Sequence, residues 1–396
     1  MNACIDHPVA RLFTVAEERL LCGHRRWLHR RPEIAFKEFA TADYVAAELG
    51  RLGLQPERGL AGTGIVATVR GREPGRAVGL RADMDALPVH EMTGLPHASA
   101  TPGMMHACGH DGHTAILLGA ARLLAQDRDF AGIVHLVFQP AEENEGGARV
   151  MAEQGLFMRY PMDAIFGLHN WPGLPLGTVA VMPGPMMASF DVFEITLTGA
   201  GGHAAMPHRV DDLVMAGSAL ALALQTIISR RLDPALPGVV SITQVQAGSA
   251  WNVLPDRYVL KGSCRAFGKA TQDTFEAAMR EIAAGIAASH GVQVDLRYER
   301  RIPATVNDPD CAALAASCAR AVLGESRVRT DVAPSMAGED FSFLLERCPG
   351  AYLWLGIGED HPPLHSSAYD FEDGVIADGA RLMASLALAA CRAPAS

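Results

Sequence analysis

Four short β-rich runs, TGIVATVR, RAVGLRAD, GIVHLVFQP and DAIFGLHN, limit what this chain can fold into, because each is apolar almost throughout rather than alternating. Runs of that kind are strands covered on both faces, as in sheets with helices packed on each side. The segments around them supply the helices: TVAEERLLCGHRRWLHRR, FKEFATADYVAAELGRLGL, HTAILLGAARLLAQ and GARVMAEQGL carry apolar residues at helical spacing. The fold class this predicts is α/β, with a central mixed sheet flanked by helices.

The pattern changes near residue 188. FDVFEITLTG is an alternating strand, VDDLVMAGSALALALQTIISRR a long helix, GVVSITQVQAG and RYVLKGSCRAF two strands, TFEAAMREIAAGIAASH a helix and GVQVDLRYERR a last strand. That order, β-α-β-β-α-β, is a ferredoxin-like α+β arrangement. The α/β pattern then resumes with helix DPDCAALAASCARAVLG, strand AYLWLGIG and a final helix from about Gly374. A chain of 396 residues exceeds what one core accommodates. The expected organisation is a discontinuous domain of 1–187 and 303–396 with an inserted domain of 188–302, and 171–188 as the hinge.

A formal charge of −10, with no basic cluster interleaved with aromatics, argues against a nucleic-acid partner. The start, MNACIDHPVARLFTVAEERL, lacks the basic, apolar and small-residue order of a secretory leader, and no stretch reads as a membrane span, so a cytoplasmic protein is expected. The eight cysteines show no C-x-x-C spacing and read as small buried hydrophobes, except Cys108, which has histidine neighbours.

The polar clusters sit where strands end. RADMDALPV follows one strand, QPAEENEGG follows another, GLHNWP closes a third, and HACGHDGHTA opens a helix. Ligands in open α/β sheets bind beyond the carboxyl ends of the strands, so these clusters converge on one rim. Cys108, His110, Glu142, Glu143 and His169, with Asp83 and Asp85 nearby and His365 in the late PPLHSSAYDF, offer thiolate, imidazole and carboxylate, the donors of zinc, manganese, cobalt or nickel. Taken singly, a strand-end histidine is a hydrogen-bonded structural residue, a Glu pair a solvated loop, and Asp83 and Asp85 turn caps; together they point to a metal. Of two adjacent glutamates, one can ligate while the other takes a proton from a water acidified by the cation, which is hydrolytic chemistry. His203, in GAGGHAAMPH, is either an oxyanion-stabilising imidazole or an exposed residue of a flexible hairpin.

In order along the chain, RADMDALP, HACGHDGHTA, QPAEE, GLHNWP, GGHAAMPH, AGEDFS and LHSSAYDF resemble the amidohydrolase branch of the aminoacylase and carboxypeptidase G-type metallopeptidases, over nearly the whole chain. The resemblance implies two divalent metal ions per subunit and an inserted domain that dimerises and acts as a lid. It implies Cys108, His110, Glu143, His169 and His365 as ligands, with Cys108 bridging, Glu142 as general base and Asp85 orienting a ligand histidine, with Asp111 or Glu339 assisting. It further implies that His203 of the partner subunit stabilises the oxyanion, and that Asn252 and Arg265 hold substrate, Arg265 by its carboxylate. The activity implied is cleavage of N-acyl amino acids by a homodimer or higher homo-oligomer.

Three other readings stand beside it: a dipeptidase of the same family, an amidase with Cys108 as nucleophile beside His110 or His113, and a non-catalytic metal or amino-acid-binding protein. Met182, Met186 and Met187 line an apolar acyl pocket or pack in the core.

Overall fold

The computed structural model describes residues 11–143 and 146–392. Cys4, the first ten residues of the leader reading, and Asn144 and Glu145 of QPAEENEGG lie outside them. The chain divides into two compact units, Met1–Met186 with Val306–Ala333 and Asp340–Ser396, and Met187–Thr305 with Pro334–Glu339.

The larger unit is built on an eight-stranded mixed sheet. Its order is Glu57–Leu60, Gly64–Arg70, Ala131–Gln139, Glu73–Asp83, Ala164–Trp171, Gly350–Gly356, Val179–Ala180 and Val328–Arg329. The four strands from Ala131–Gln139 to Gly350–Gly356 run parallel, so their carboxyl ends share one edge, and the strands flanking them on either side are antiparallel. Burial on both faces explains why these strands do not alternate. Helix Val15–His29 opens with a capping box in which Thr14 and Glu17 bond each other's backbone N–H. Helices His110–Gln126 and Ile376–Arg392 are buried along most of their lengths in one hydrophobic core.

The smaller unit has strands Phe190–Thr198, Gly238–Ala247, Arg257–Ala266 and Gln293–Ile302 in a fully antiparallel sheet. Their order, second, third, first, fourth, is ferredoxin-like. Phe190–Thr198 alternates strictly between half-buried and buried residues, and the buried set packs with helices Leu213–Thr226 and Lys269–His290. A separate two-stranded ladder pairs His203 with Val253 and Gly202 with Leu254.

Three expectations need correction. Segment 334–339 joins the smaller unit because Ala188 N–H donates to the carbonyls of Ser335 and Ala337, and Thr305 Oγ1 to that of Glu339. The 171–188 stretch is more than a hinge, since Val179–Ala180 pairs with both Gly350–Gly356 and Val328–Arg329. Two helices, Leu213–Arg231 and Asp373–Arg392, are long and apolar enough by length and composition to cross a membrane, contrary to the sequence reading. Asp373–Arg392 is 78% buried over its apolar window, as a core helix is, whereas Leu213–Arg231 is 33% buried and leaves Val214, Met215 and Leu222 exposed.

Gly217 tests the packing of the smaller unit. A Cβ there would lie 2.3 Å from the Tyr258 ring. Gly→Ala within a helix normally stabilises by about 1 kcal/mol; here overpacking should reverse the sign, and Gly217→Ala should lower the urea unfolding free energy by about 1–3 kcal/mol.

Candidate active site

The parallel strands deliver Asp83, Gln139 and His169 to one rim, Asp83 and Gln139 in direct register. Opposite them the chain enters helix His110–Gln126 through Gly109, whose φ of 91° needs glycine. A Cβ at Gly109 would also lie 2.2 Å from Asn170 Oδ1 and 2.5 Å from the Tyr369 hydroxyl, so the turn can sit this close to the strand end only without a side chain.

Around that turn lie the donors. Cys108, His110 and His169 present one ligand atom each within 4.8 Å of one another; so do Cys108, Glu143 and His365, and so do His110, Glu142 and Glu143. Cys108 thus belongs to two donor groups, one through His169, whose Nε2 is 3.4 Å from its sulfur, and one on the side of His365. His365 is held at φ 64° with its backbone N–H on the Ala107 carbonyl at 2.8 Å, which brings the late loop against the ligand turn.

The fit to a cation can be judged from the buried atoms themselves. His110 Nε2 and Glu143 Oε1 are buried without a hydrogen-bond partner, a state that costs about 1–3 kcal/mol unless something satisfies them. Glu143 Oε1 is 3.2 Å from His365 Nε2 but misaligned for a hydrogen bond, as two donors aimed at a common point would be. His169 directs Nδ1 to the Asn170 carbonyl at 2.6 Å, which leaves Nε2 as the lone-pair nitrogen. Burial, reinforced by His113 and His110, depresses its pKa well below the usual histidine range and keeps it a neutral donor. His110 sets Nδ1 3.2 Å from Asp85 Oδ1. Burial opposes its protonation, but Asp83 and Asp85 outweigh it and raise its pKa to about 10 among the protein groups alone. Burial, with Glu143, Glu142 and Asp83, holds the Cys108 thiol well above its ordinary pKa. A nucleophilic cysteine needs the opposite shift, whereas a cation would draw off the thiol proton on binding. The residues fit divalent cations: thiolate, imidazole and carboxylate donors would hold them at the two groups that include Cys108.

The other nominated residues are distributed over both units. In the larger unit, Asp111 takes no ligand position; its Oδ2 is 2.8 Å from His29 Nδ1. Asp85 also accepts the Glu143 N–H at 2.9 Å through Oδ2. In the smaller unit, His203 is exposed and its Nδ1 accepts the Ala205 N–H at 3.1 Å, which leaves the proton on Nε2. Asn252 lies beside it across the ladder, its carbonyl accepting the Ala204 N–H. Arg265 is half-buried with its guanidinium 4.1 Å from the Phe190 ring centroid, and no carboxylate lies within ion-pair distance of it among the described residues. Glu339 sits in the segment that returns to this unit. Met186 and Met187 are buried and Met182 is half-buried.

Sequence reasoning missed several groups. His113, named from the sequence only as a partner for a Cys108 nucleophile, has both ring nitrogens engaged, Nδ1 2.6 Å from Asp83 Oδ1 and Nε2 2.6 Å from Asn170 Oδ1, so it braces the site. Its place three residues after His110 was the available signal. Glu38 had none: it is wholly buried, accepting from Thr63 Oγ1 at 2.6 Å and from the N–H of Ala141, the residue before Glu142, at 2.9 Å. Ala141 has a φ of 55°, unusual for a residue with a Cβ, so Glu38 helps hold the glutamate pair on a strained turn.

With the geometry in view, comparison with known proteins is informative. Residues 79–389 match Peptidase family M20/M25/M40. This chain belongs to that family. It is 40% identical to N-acetylcysteine deacetylase of Bacillus subtilis over 93% of this chain and 96% of that protein. It is also 40% identical to hippurate hydrolase of Campylobacter jejuni, over 92% and 94% of the two chains. A solved Bacillus subtilis structure described as a dinuclear metal binding peptidase from the M20 family superposes with a TM-score of 0.85 at 36% identity, covering 96% of this chain and 99% of that one. The chain is therefore a metal-dependent hydrolase of amide bonds.

Glu38 gives the site a measurable pH signature. Burial, reinforced by Asp85 and only partly offset by Thr63, raises its pKa from 4.5 to about 7. A carboxyl raised on folding retains a proton the unfolded chain has released, so its contribution is fully present below the unfolded value and is lost as pH rises through the folded one. In the Glu38→Gln variant this slope should vanish. The variant's unfolding free energy relative to wild type should rise by on the order of 3 kcal/mol between about pH 4.5 and 7. A difference that stays flat across urea titrations in that range would show that Glu38 remains ionised.

Proposed function

We propose that this protein hydrolyses the amide bond of N-acyl amino acids to a carboxylic acid and a free amino acid. The observation that carries this reading is the pair of donor groups sharing Cys108 with a second glutamate, Glu142, beside them. The relatives narrow the substrate class, since one is named for N-acetylcysteine and another for hippurate, both N-acyl amino acids.

In this reading Cys108, His110, Glu143, His169 and His365 hold two divalent cations, drawn from zinc, manganese, cobalt or nickel. When bound, the cations supply Lewis acidity to the scissile carbonyl and to the attacking water. Asp85 holds the Nδ1 edge of His110 and so keeps Nε2 turned to the ligand side. Glu142 removes the proton from the water as it attacks and returns it to the leaving nitrogen. His203 of the partner subunit donates its Nε2 proton to the developing oxyanion. Asn252 orients the substrate, and Arg265, a cation with no carboxylate at ion-pair distance among the described residues, takes the substrate carboxylate.

A homodimer is part of this proposal. Strand Gly238–Ala247 is the edge of its sheet and is exposed over its second half, and Val214, Met215 and Leu222 add exposed apolar surface in the same unit. Unpaired edges and apolar patches of this kind are normally covered.

The deciding experiment is hydrolysis of hippurate, N-acetyl amino acids, N-acetyl-diaminopimelate, indole-acetyl-amino acids and dipeptides, before and after chelation and metal restoration. Activity should vanish with chelator and return with metal. Glu142→Ala should abolish turnover while keeping wild-type metal content, and full retained activity in that variant would remove Glu142 as the base. Light scattering should give a dimer. Leu222→Asp should shift it to monomer and lower kcat by about a hundredfold or more, the cost of losing an oxyanion donor; a fully active monomer would show that the site needs no partner.

A further inference from the structure

Behind the ligand turn, the larger unit holds a polar bridge that supplies no metal donor from its central cation. Arg81, on strand Glu73–Asp83, is wholly buried. Its Nη1 donates to Asp83 Oδ2 at 2.7 Å, its Nε to Gln139 Oε1 at 2.7 Å and its Nη2 to Asp340 Oδ1 at 3.1 Å. Gln139 Nε2 donates to the same Asp340 oxygen at 2.7 Å. Asp340 Oδ2 accepts the Ala148 N–H at 2.9 Å, in the first turn of helix Gly147–Glu153. The backbone N–H of Asp340 is 3.4 Å from Glu142 Oε1.

One guanidinium thus connects Asp83, the carboxylate that props His113, to Asp340, whose main chain touches Glu142. A buried ion pair is a weak source of net stability, because desolvating its charges offsets most of their attraction. What the arrangement does supply is direction, since a planar fork satisfies three acceptors at fixed angles as a lysine cannot.

We propose that Arg81 and Asp340 are positioning residues for the general base. Arg81 fixes Asp340 at the strand ends, and Asp340 fixes Glu142 through its own N–H and the helix after Glu142 through Ala148. The proposal rests on Glu142 being the base.

The test uses metal-loaded enzyme carrying Asp340→Asn or, as the milder change, Arg81→Lys. Each should lower kcat by about 10–100-fold with KM within about twofold, since small misplacement of a reacting group is costly. Metal content should stay at the wild-type level, and hydrogen–deuterium exchange in Ala148–Glu153 should accelerate. In a Glu142→Asp background, where the carboxylate is already displaced, Asp340→Asn should cost less than about threefold. An equal loss in both backgrounds, a loss confined to KM, or loss of metal would overturn the positioning role. Should wild-type enzyme hydrolyse no N-acyl amino acid, the substrate reading fails, while the exchange measurement still decides the bridge: unchanged exchange in both variants overturns it.

Discussion

A buried carboxylate persists only where a positive group or a set of N–H donors meets it. This chain buries Asp83, Asp85, Asp111 and Asp340 in its larger unit, and much of that unit's arrangement follows from how each is answered. Asp83 and Asp340 share Arg81. Asp111 is met by His29 at 2.8 Å and Arg25 at 3.7 Å, which ties helix Val15–His29 to the first turn of the ligand helix. Asp370 and Asp373 bind the same arginine at 2.6 and 2.7 Å, so the approach to the last helix is drawn onto the same point. Segments from both ends of the chain therefore meet at the site through charge, and the apolar core packs around that meeting.

What the sequence made legible was whatever has a local pattern. The parallel strands appeared as apolar runs because both their faces are covered. The ligand cluster appeared because the polar residues fall where those runs stop, a rule that needs no knowledge of which strand lies next to which. Contacts between distant segments left no such trace. Arg81 and Asp340 are 259 positions apart and Glu38 and Ala141 103 apart, and nothing in their neighbouring residues marks them as partners. Segment 334–339 was misplaced for the same reason, being assigned to its neighbours in sequence rather than to the backbone of Ala188 that it meets. Two-residue strands such as Val179–Ala180 and Val328–Arg329 escaped because two residues cannot show a period. The two apolar helices were passed over as spans, and length and composition alone do not separate a core helix from a membrane helix, which differ in what surrounds them.

The charges that remain unanswered lead to the cations. Asp85, Glu143 and Cys108 have no lysine or arginine within ion-pair distance among the described residues; the basic side chains near Asp85 and Glu143 are His110 and His365. Those two histidines cannot serve both as counter-charges and as ligands, because an imidazole ligates through the lone pair that protonation removes. On the proposed ligand set, the charges of Asp85, Glu143 and a Cys108 thiolate would be left for the cations to balance. Two divalent ions carry the compensating charge. Burial, with Glu143, Glu142 and Asp83, makes the Cys108 thiol resist ionisation among the protein groups alone. In the proposed site, a cation at either donor group would offset that resistance, so metal binding and deprotonation of Cys108 would be linked.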